Sequence, residues 1–155
     1  MLKKIIIIFF VLGVLFNCKQ EEASKEILFV CTHGAARSPI AAAYFNKLSK
    51  EQNLKYHAVF RGTEPDSLLT KETILGLKND GFDVEAWKPK KVDLYDIKKA
   101  YKTVTFDCNL PTNNDSNQLS DEQWNGTPSI SKDYNVAKDA IKEKVEKLIE
   151  SLPKN

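Results

Sequence analysis

The sequence predicts an α/β domain, a parallel sheet covered by helices on both faces. Short apolar runs of strand length alternate along the chain with segments whose apolar residues recur at helical spacing. The first of those runs, Ile27-Leu28-Phe29-Val30, has no polar position at all, as expected of a strand buried on both faces. Length and composition agree: 155 residues, 28% charged and 42% hydrophobic, fit one globular domain.

In chain order, Met1-Leu-Lys-Lys precedes residues 5–16, which carry no charge. That run is shorter than the roughly 20 apolar residues of a membrane-spanning helix. A charged start with a short apolar core is the pattern of a secretory signal. The run ends at Leu15-Phe16-Asn17-Cys18, which resembles the bacterial lipoprotein processing site, where the Cys is lipidated and becomes the new N-terminus. Asn17 departs from the small residue usual before that Cys. The polar stretch 19–25 reads as a tether, and its Lys and Glu resemble the surface-export signals of Bacteroidetes lipoproteins. The expected division is a signal peptide over 1–17, a tether over 18–25 and the domain over 26–155. The resemblance implies an exported lipoprotein, periplasmic or on the outer surface, held in the membrane by acyl chains on Cys18. Several chains on one Cys anchor stably where a single chain does not.

Within the domain, the strand at 27–30 leads into a loop of small residues, 31–37. Ser38-Pro39 reads as an N-cap and first helical position. Ile40, Tyr44, Phe45 and Leu48 then share one helical face, with close packing at 41–43. Residues 56–60 form a second strand, ended by Arg61-Gly62-Thr63-Glu64-Pro65. A short helix over 70–80 carries Ile74, Leu75 and Leu77 and stops at Gly81. A turn or two of helix follows over 92–100. A third strand, 102–106, runs into Asp107-Cys108-Asn109-Leu110-Pro111. Residues 113–117 are a polar loop, and 118–124 hold a short last strand. The clearest helix is 136–152, where Val136, Ala140, Ile141, Val145, Leu148, Ile149 and Leu152 make an apolar stripe.

The chemistry concentrates in Cys31-Thr32-His33-Gly34-Ala35-Ala36-Arg37-Ser38, between a buried strand and a helix start. Successive backbone N–H groups in such a loop form an anion-binding nest, and the helix aims its positive end into the same place. Thr32, His33, Gly34, Ala35, Ala36 and Arg37 are therefore the candidate anion-binding residues. Arg37 can hold two oxygens of a tetrahedral oxyanion with its planar fork. It is one of only two Arg in a chain with 21 Lys, an unusual choice where bidentate geometry matters. The positive field favours a thiolate at Cys31, placed for in-line attack on phosphorus. Ser38 is placed to donate a hydrogen bond to it, which makes Cys31, Arg37 and Ser38 the candidate catalytic set.

These residues resemble the low-molecular-weight protein-tyrosine phosphatase superfamily, which includes thiol-dependent arsenate reductases. The likeness extends through Gly62-Thr63, the GFDVEAWKP segment, VTFDCNLP and the region from Trp124 to Ile141. It implies a four-stranded parallel sheet with the anion loop after the first strand, in keeping with ligands sitting at the carboxyl ends of strands in open α/β sheets. Family loops commonly read Cys-x-Gly-Asn-x-Cys-Arg-Ser-Pro. Here His33 takes the Gly position, Gly34 the Asn position and Ala36 the second Cys. His33 is either a substrate contact or a solvent-facing loop residue. The family's general-acid Asp, usually in an Asp-Pro pair, has no counterpart in Trp124-Asn125-Gly126-Thr127-Pro128. Asp121 and Asp133 flank that stretch, as substitutes or as solvated loop carboxylates. Cys108 is either a resolving thiol on the rim that carries Cys31 or a small core residue. Arg61 reads as a surface salt bridge rather than an anion ligand. Trp87, Tyr95 and Trp124 are candidates to wall a phosphotyrosine slot, each equally suited to core or surface.

Lys+Arg of 23 against Asp+Glu of 21 leaves no basic patch for nucleic acid, and Lys3 and Lys4 account for the excess. Cysteines at 18, 31 and 108 lack disulfide-scaffold or zinc spacing, and two His leave no metal cluster, so no metal or cofactor is expected. The expected activity is hydrolysis of a phosphomonoester, with phosphotyrosine a candidate substrate, through a cysteinyl-phosphate on Cys31. The alternatives are an arsenate reductase using the same nucleophile with a thiol reductant, or an oxyanion-binding protein with little turnover. Export disfavours the reductase, because cytosolic thiol reductants are absent there.

Overall fold

The computed structural model describes residues 24–111 and 121–154. The expected signal peptide, Cys18 and most of the tether lie outside the described residues, as do the polar loop and the first part of the expected last strand. The elements run β1 (Lys25–Cys31), α1 (Arg37–Glu51), β2 (Tyr56–Gly62), α2 (Lys71–Asn79), α3 (Leu94–Lys99), β3 (Lys102–Phe106), β4 (Glu122–Gln123) and α4 (Tyr134–Ser151). The strands form one four-stranded sheet in the order β2-β1-β3-β4, and every pairing is parallel. The predicted α/β class and four-stranded parallel sheet are therefore those of the protein.

β1 lies inside the sheet, which explains its unbroken apolar sequence. Its side chains alternate between two cores. Ile27, Phe29 and Cys31 pack with Ile40, Phe45, Ile141 and Val145 under α1 and α4. Leu28 and Val30 pack with Val92, Ile97 and Leu110 on the opposite face, near α3. Phe29, Phe45 and Phe106 are fully buried, and each such burial contributes about 1.5–3 kcal/mol. Trp124 is 2% exposed and packs its ring against Phe29 and Phe106, with centroids 5.5 and 5.3 Å away.

Four local readings are corrected. The first helix begins at Arg37 with Ala36 as its N-cap and no side-chain cap, because the Ser38 hydroxyl is engaged elsewhere. Val136 and Leu75 are 55% and 52% exposed, so the apolar stripes of α4 and α2 are narrower than their spacing suggests. β2 extends two residues further, through Arg61 and Gly62. Arg61 is no simple surface pair: Nε and one terminal nitrogen both donate to Asp96, each at 2.9 Å, and both side chains are largely buried.

Candidate functional site

β1 delivers Cys31 to the carboxyl end of the sheet, paired with Gly62 of β2 and Phe106 of β3. Its side chain is 3% exposed. The loop that follows is held open by its outer side. The carbonyls of Cys31, Thr32, His33 and Ala35 accept hydrogen bonds from the N–H groups of Thr63, Glu64, Asp66 and Thr70, at 2.8–3.2 Å. In a planar trans peptide the next N–H points opposite the carbonyl. Pinning those carbonyls outward thus turns the N–H groups of Thr32, His33, Gly34 and Ala36 toward the concave side.

Two glycines make this packing possible. Gly34 adopts φ +60°, a left-handed conformation costly for residues with a side chain. A Cβ there would lie 2.9 Å from the Gly62 nitrogen, and a Cβ on Gly62 would lie 2.8 Å from the Gly34 nitrogen. The two backbones touch, so neither position accommodates a methyl group.

At the inner end, α1 starts with no side-chain cap and no acidic residue in its first turn. A helix start of this kind leaves its first N–H groups and positive dipole end able to bind an anion. Ser38 is fully buried; its Oγ lies 3.1 Å from Cys31 Sγ and also donates to the Arg61 carbonyl at 3.2 Å. Arg37 is paired through a terminal nitrogen with Asp107 and lies with its guanidinium carbon 6.0 Å from the Phe106 ring centre. Asp107 has φ +45° and accepts the Gly126 N–H on its other oxygen at 3.0 Å. It thus ties the arginine to the Trp124–Pro128 stretch. Sequence reasoning passed over Asp107; its place directly after β3, at the end of the sheet that carries the loop, was the available signal.

The other candidates separate. His33 is exposed and faces Asp66, Nδ1 to Oδ1 3.4 Å. Asp121 accepts the Thr103 N–H at 2.7 Å, at the start of β3 and so at the opposite end of the sheet. Asp133 caps α4 through Val136 N–H at 3.1 Å. Neither carboxylate is in the site. Trp124 is core, Trp87 stacks on Phe60 with centroids 5.5 Å apart, and Tyr95 is 72% exposed on α3. None of the three lines the pocket of about 300 Å³ beside Arg37; Thr70, Thr127, Ser129, Ile130 and Ser131 do. Cys108 is half-buried, with Sγ 3.6 Å from the carbonyl oxygen of Val30, the residue before Cys31. Burial first, and then the neighbouring Cys31, push its thiol up. Both cysteines are free thiols. Among the described residues no cluster could hold a metal ion, and no helix is long and apolar enough to cross a membrane.

Residues 26–109 match the low molecular weight phosphotyrosine protein phosphatase family. No curated protein matches the chain significantly. Among solved structures, a thioredoxin-dependent arsenate reductase of Corynebacterium glutamicum superposes with a TM-score of 0.67 at 21% identity, covering 84% of this chain and 63% of that one. A low molecular weight protein tyrosine phosphatase from T. tengcongensis gives 0.65 at 22% identity, covering 83% and 100%. An arsenate reductase from Archaeoglobus fulgidus gives 0.59 at 27% identity, covering 81% and 99%.

Proposed function

The chain belongs to the low molecular weight phosphotyrosine protein phosphatase family, and from that premise we propose that it hydrolyses a phosphomonoester through a cysteinyl-phosphate on Cys31. The observation that supports this reading is the bracing of the loop after Cys31 through four of its carbonyls, which turns the following N–H groups away from residues 63–70, at the start of a helix with no side-chain cap. The loop amides and the arginine fork hold the oxygens of the phosphoryl group. The Cys31 thiolate attacks phosphorus, the P–O bond to the leaving group breaks, and the departing oxygen takes a proton from solvent. Ser38, hydrogen-bonded to the Arg61 carbonyl at rest, swings its one hydrogen to the thiolate. Water then cleaves the S–P bond, releasing phosphate and the thiolate. The full chain should hydrolyse p-nitrophenyl phosphate and trap phosphate on Cys31 in a single turnover, while Cys31→Ser should do neither. Equal turnover by Cys31→Ser would overturn the assignment. Phosphate affinity without any trapped intermediate would mean a binding protein.

Arsenate reduction is the second reading, favoured by the thiol of Cys108 close to Cys31. There Cys31 attacks arsenate with loss of water. Cys108 then attacks the Cys31 sulfur, the disulfide forms, and arsenic leaves as arsenite with two electrons gained. An external thiol reductant reopens the disulfide. Arsenate-dependent formation of a Cys31–Cys108 disulfide, lost in Cys108→Ala, would establish it. We also propose export and lipidation at Cys18, with residues 26–155 as the folded domain. Labelled fatty acid should appear on the wild-type protein and vanish in Cys18→Ala.

A further inference from the structure

We propose that a pocket along the outer edge of β2 binds a small aromatic carboxylate, at a site separate from the loop between β1 and α1. β2 ends the sheet order, so its outward backbone groups have no strand beside them. Other partners take most of them. The Asn46 side chain stands in for a neighbouring strand at Ala58, accepting its N–H at 2.6 Å and donating to its carbonyl at 3.0 Å. Ser49 donates to the Tyr56 carbonyl at 2.8 Å. Gly62 donates to the Lys90 carbonyl and accepts the Val92 N–H, each at 2.9 Å. Backbone direction alternates along a strand, so Phe60 faces outward with Ala58 and Gly62. Its carbonyl accepts from an Arg61 terminal nitrogen at 2.9 Å, whereas its N–H finds no acceptor among the described residues.

One open donor in a row otherwise closed decides the class of occupant. An added strand pairs with several residues in succession, and Asn46 and Lys90 already hold the positions on either side. A single acceptor group fills the gap. A pocket of about 290 Å³ touches both Val59 and Phe60, whose side chains pack into the two different cores, so it lies at the strand edge itself. No residue of the loop from Cys31 to Arg37 lines it.

The walls set the chemistry of the rest. The Phe60 and Trp87 rings, with centroids 5.5 Å apart, make an apolar side. Lys88 and Lys90 also line the pocket; both are exposed, and no carboxylate among the described residues pairs with either. Arg61 is committed to Asp96. No carboxyl side chain lines the pocket to repel an anion. A flat apolar body lies against the rings, and its carboxylate accepts the Phe60 N–H on one oxygen and meets the ammonium groups with the other, through charge-assisted bonds.

The test titrates the full chain by calorimetry with 2-naphthoate and with its neutral counterpart 2-naphthamide, at low and high phosphate and constant ionic strength. 2-Naphthoate should bind at a single site, at least about 10-fold tighter than the amide, and equally at both phosphate levels. In isotope-labelled protein the Phe60 amide proton should move downfield with the acid and not with the amide. Replacing both lysines, Lys88→Gln with Lys90→Gln, should remove most of the preference for the acid. Ala86→Phe, at an exposed position on the pocket wall, should abolish binding of both while leaving the unfolding curve unchanged. These readouts do not use turnover at Cys31, so their failure is distinct from failure of the phosphatase reading. Equal binding of acid and amide, no binding of either, or 2-naphthoate binding that survives Ala86→Phe would overturn the proposal. Binding that disappears at high phosphate would place the probe in the loop and overturn it too. Self-association of the chain that is lost in Ala86→Phe, without 2-naphthoate binding, would give the pocket to a second copy and likewise overturn it.

Discussion

Gly62 and Arg37 show how single atoms govern the site. Gly62→Ala places a Cβ 2.8 Å from the Gly34 nitrogen, against backbone that cannot yield without moving the loop. We expect a loss of about 1–3 kcal/mol in denaturant unfolding, with oxyanion binding impaired beyond the loss of folded protein. Arg37→Lys keeps the charge and removes the fork. Phosphate affinity by calorimetry should fall roughly 10- to 100-fold, the equivalent of one charge-assisted hydrogen bond; unchanged affinity would place Arg37 outside the site. At this scale the sequence was legible where chemistry is concentrated in consecutive residues, in the loop from Cys31 to Ser38. Asp107 was not, because its meeting with Arg37 joins positions 70 residues apart through the order of strands and through a positive φ that no apolar pattern encodes.

Between elements, the contact of α2 with α4 turns on one missing side chain. A Cβ on Gly76 would lie 2.2 Å from the Tyr134 ring. That ring cannot swing away cheaply, since its hydroxyl donates to Asp80 at 2.6 Å, where Tyr44 of α1 also donates at 2.8 Å. Burial, and then the Asp80 carboxylate, hold both phenols in the neutral, donating form by pushing their pKa values up. Gly76→Ala should therefore lower Tm by several degrees, about 2–4 °C for each kcal/mol in a domain of this size. In a Tyr134→Ala background the same substitution should cost little; full additivity would show that the ring is not the obstacle. Helix existence and strand order of events along the chain could be read from apolar spacing. The cap of α1 could not, because Ser38 has two competing uses and its buried neighbours decide between them.

Across the whole molecule the two ends of the sheet have different duties. The carboxyl end holds the loop from Cys31 to Arg37; near the amino end lies Glu26, which is 7% exposed and accepts hydrogen bonds from Lys99 at 2.9 Å and His57 at 3.2 Å. Burial alone would raise this carboxyl, but the hydrogen bonds and charges of Lys99 and His57 outweigh it and hold it below the usual 4.5. A depressed folded value means that the cluster stabilises the fold above the ordinary carboxylate range and stops doing so as pH falls through the folded value. Wild type should lose stability between about pH 5 and pH 3 more steeply than Glu26→Gln; parallel curves would remove Glu26 from the acid response. The sheet itself was legible because a strand buried on both faces admits few polar residues. Which carboxylate lies near which end was not, since that depends on register.

The four loop carbonyls tied to residues 63–70 carry a kinetic consequence. A ring of amides already braced from behind has little ordering left to do when an oxyanion arrives. Association should then occur in one phase, with a rate that rises linearly with phosphate concentration and shows no plateau from a slow rearrangement. Encounter and dehydration of the anion, rather than folding of the loop around it, would set the speed of capture.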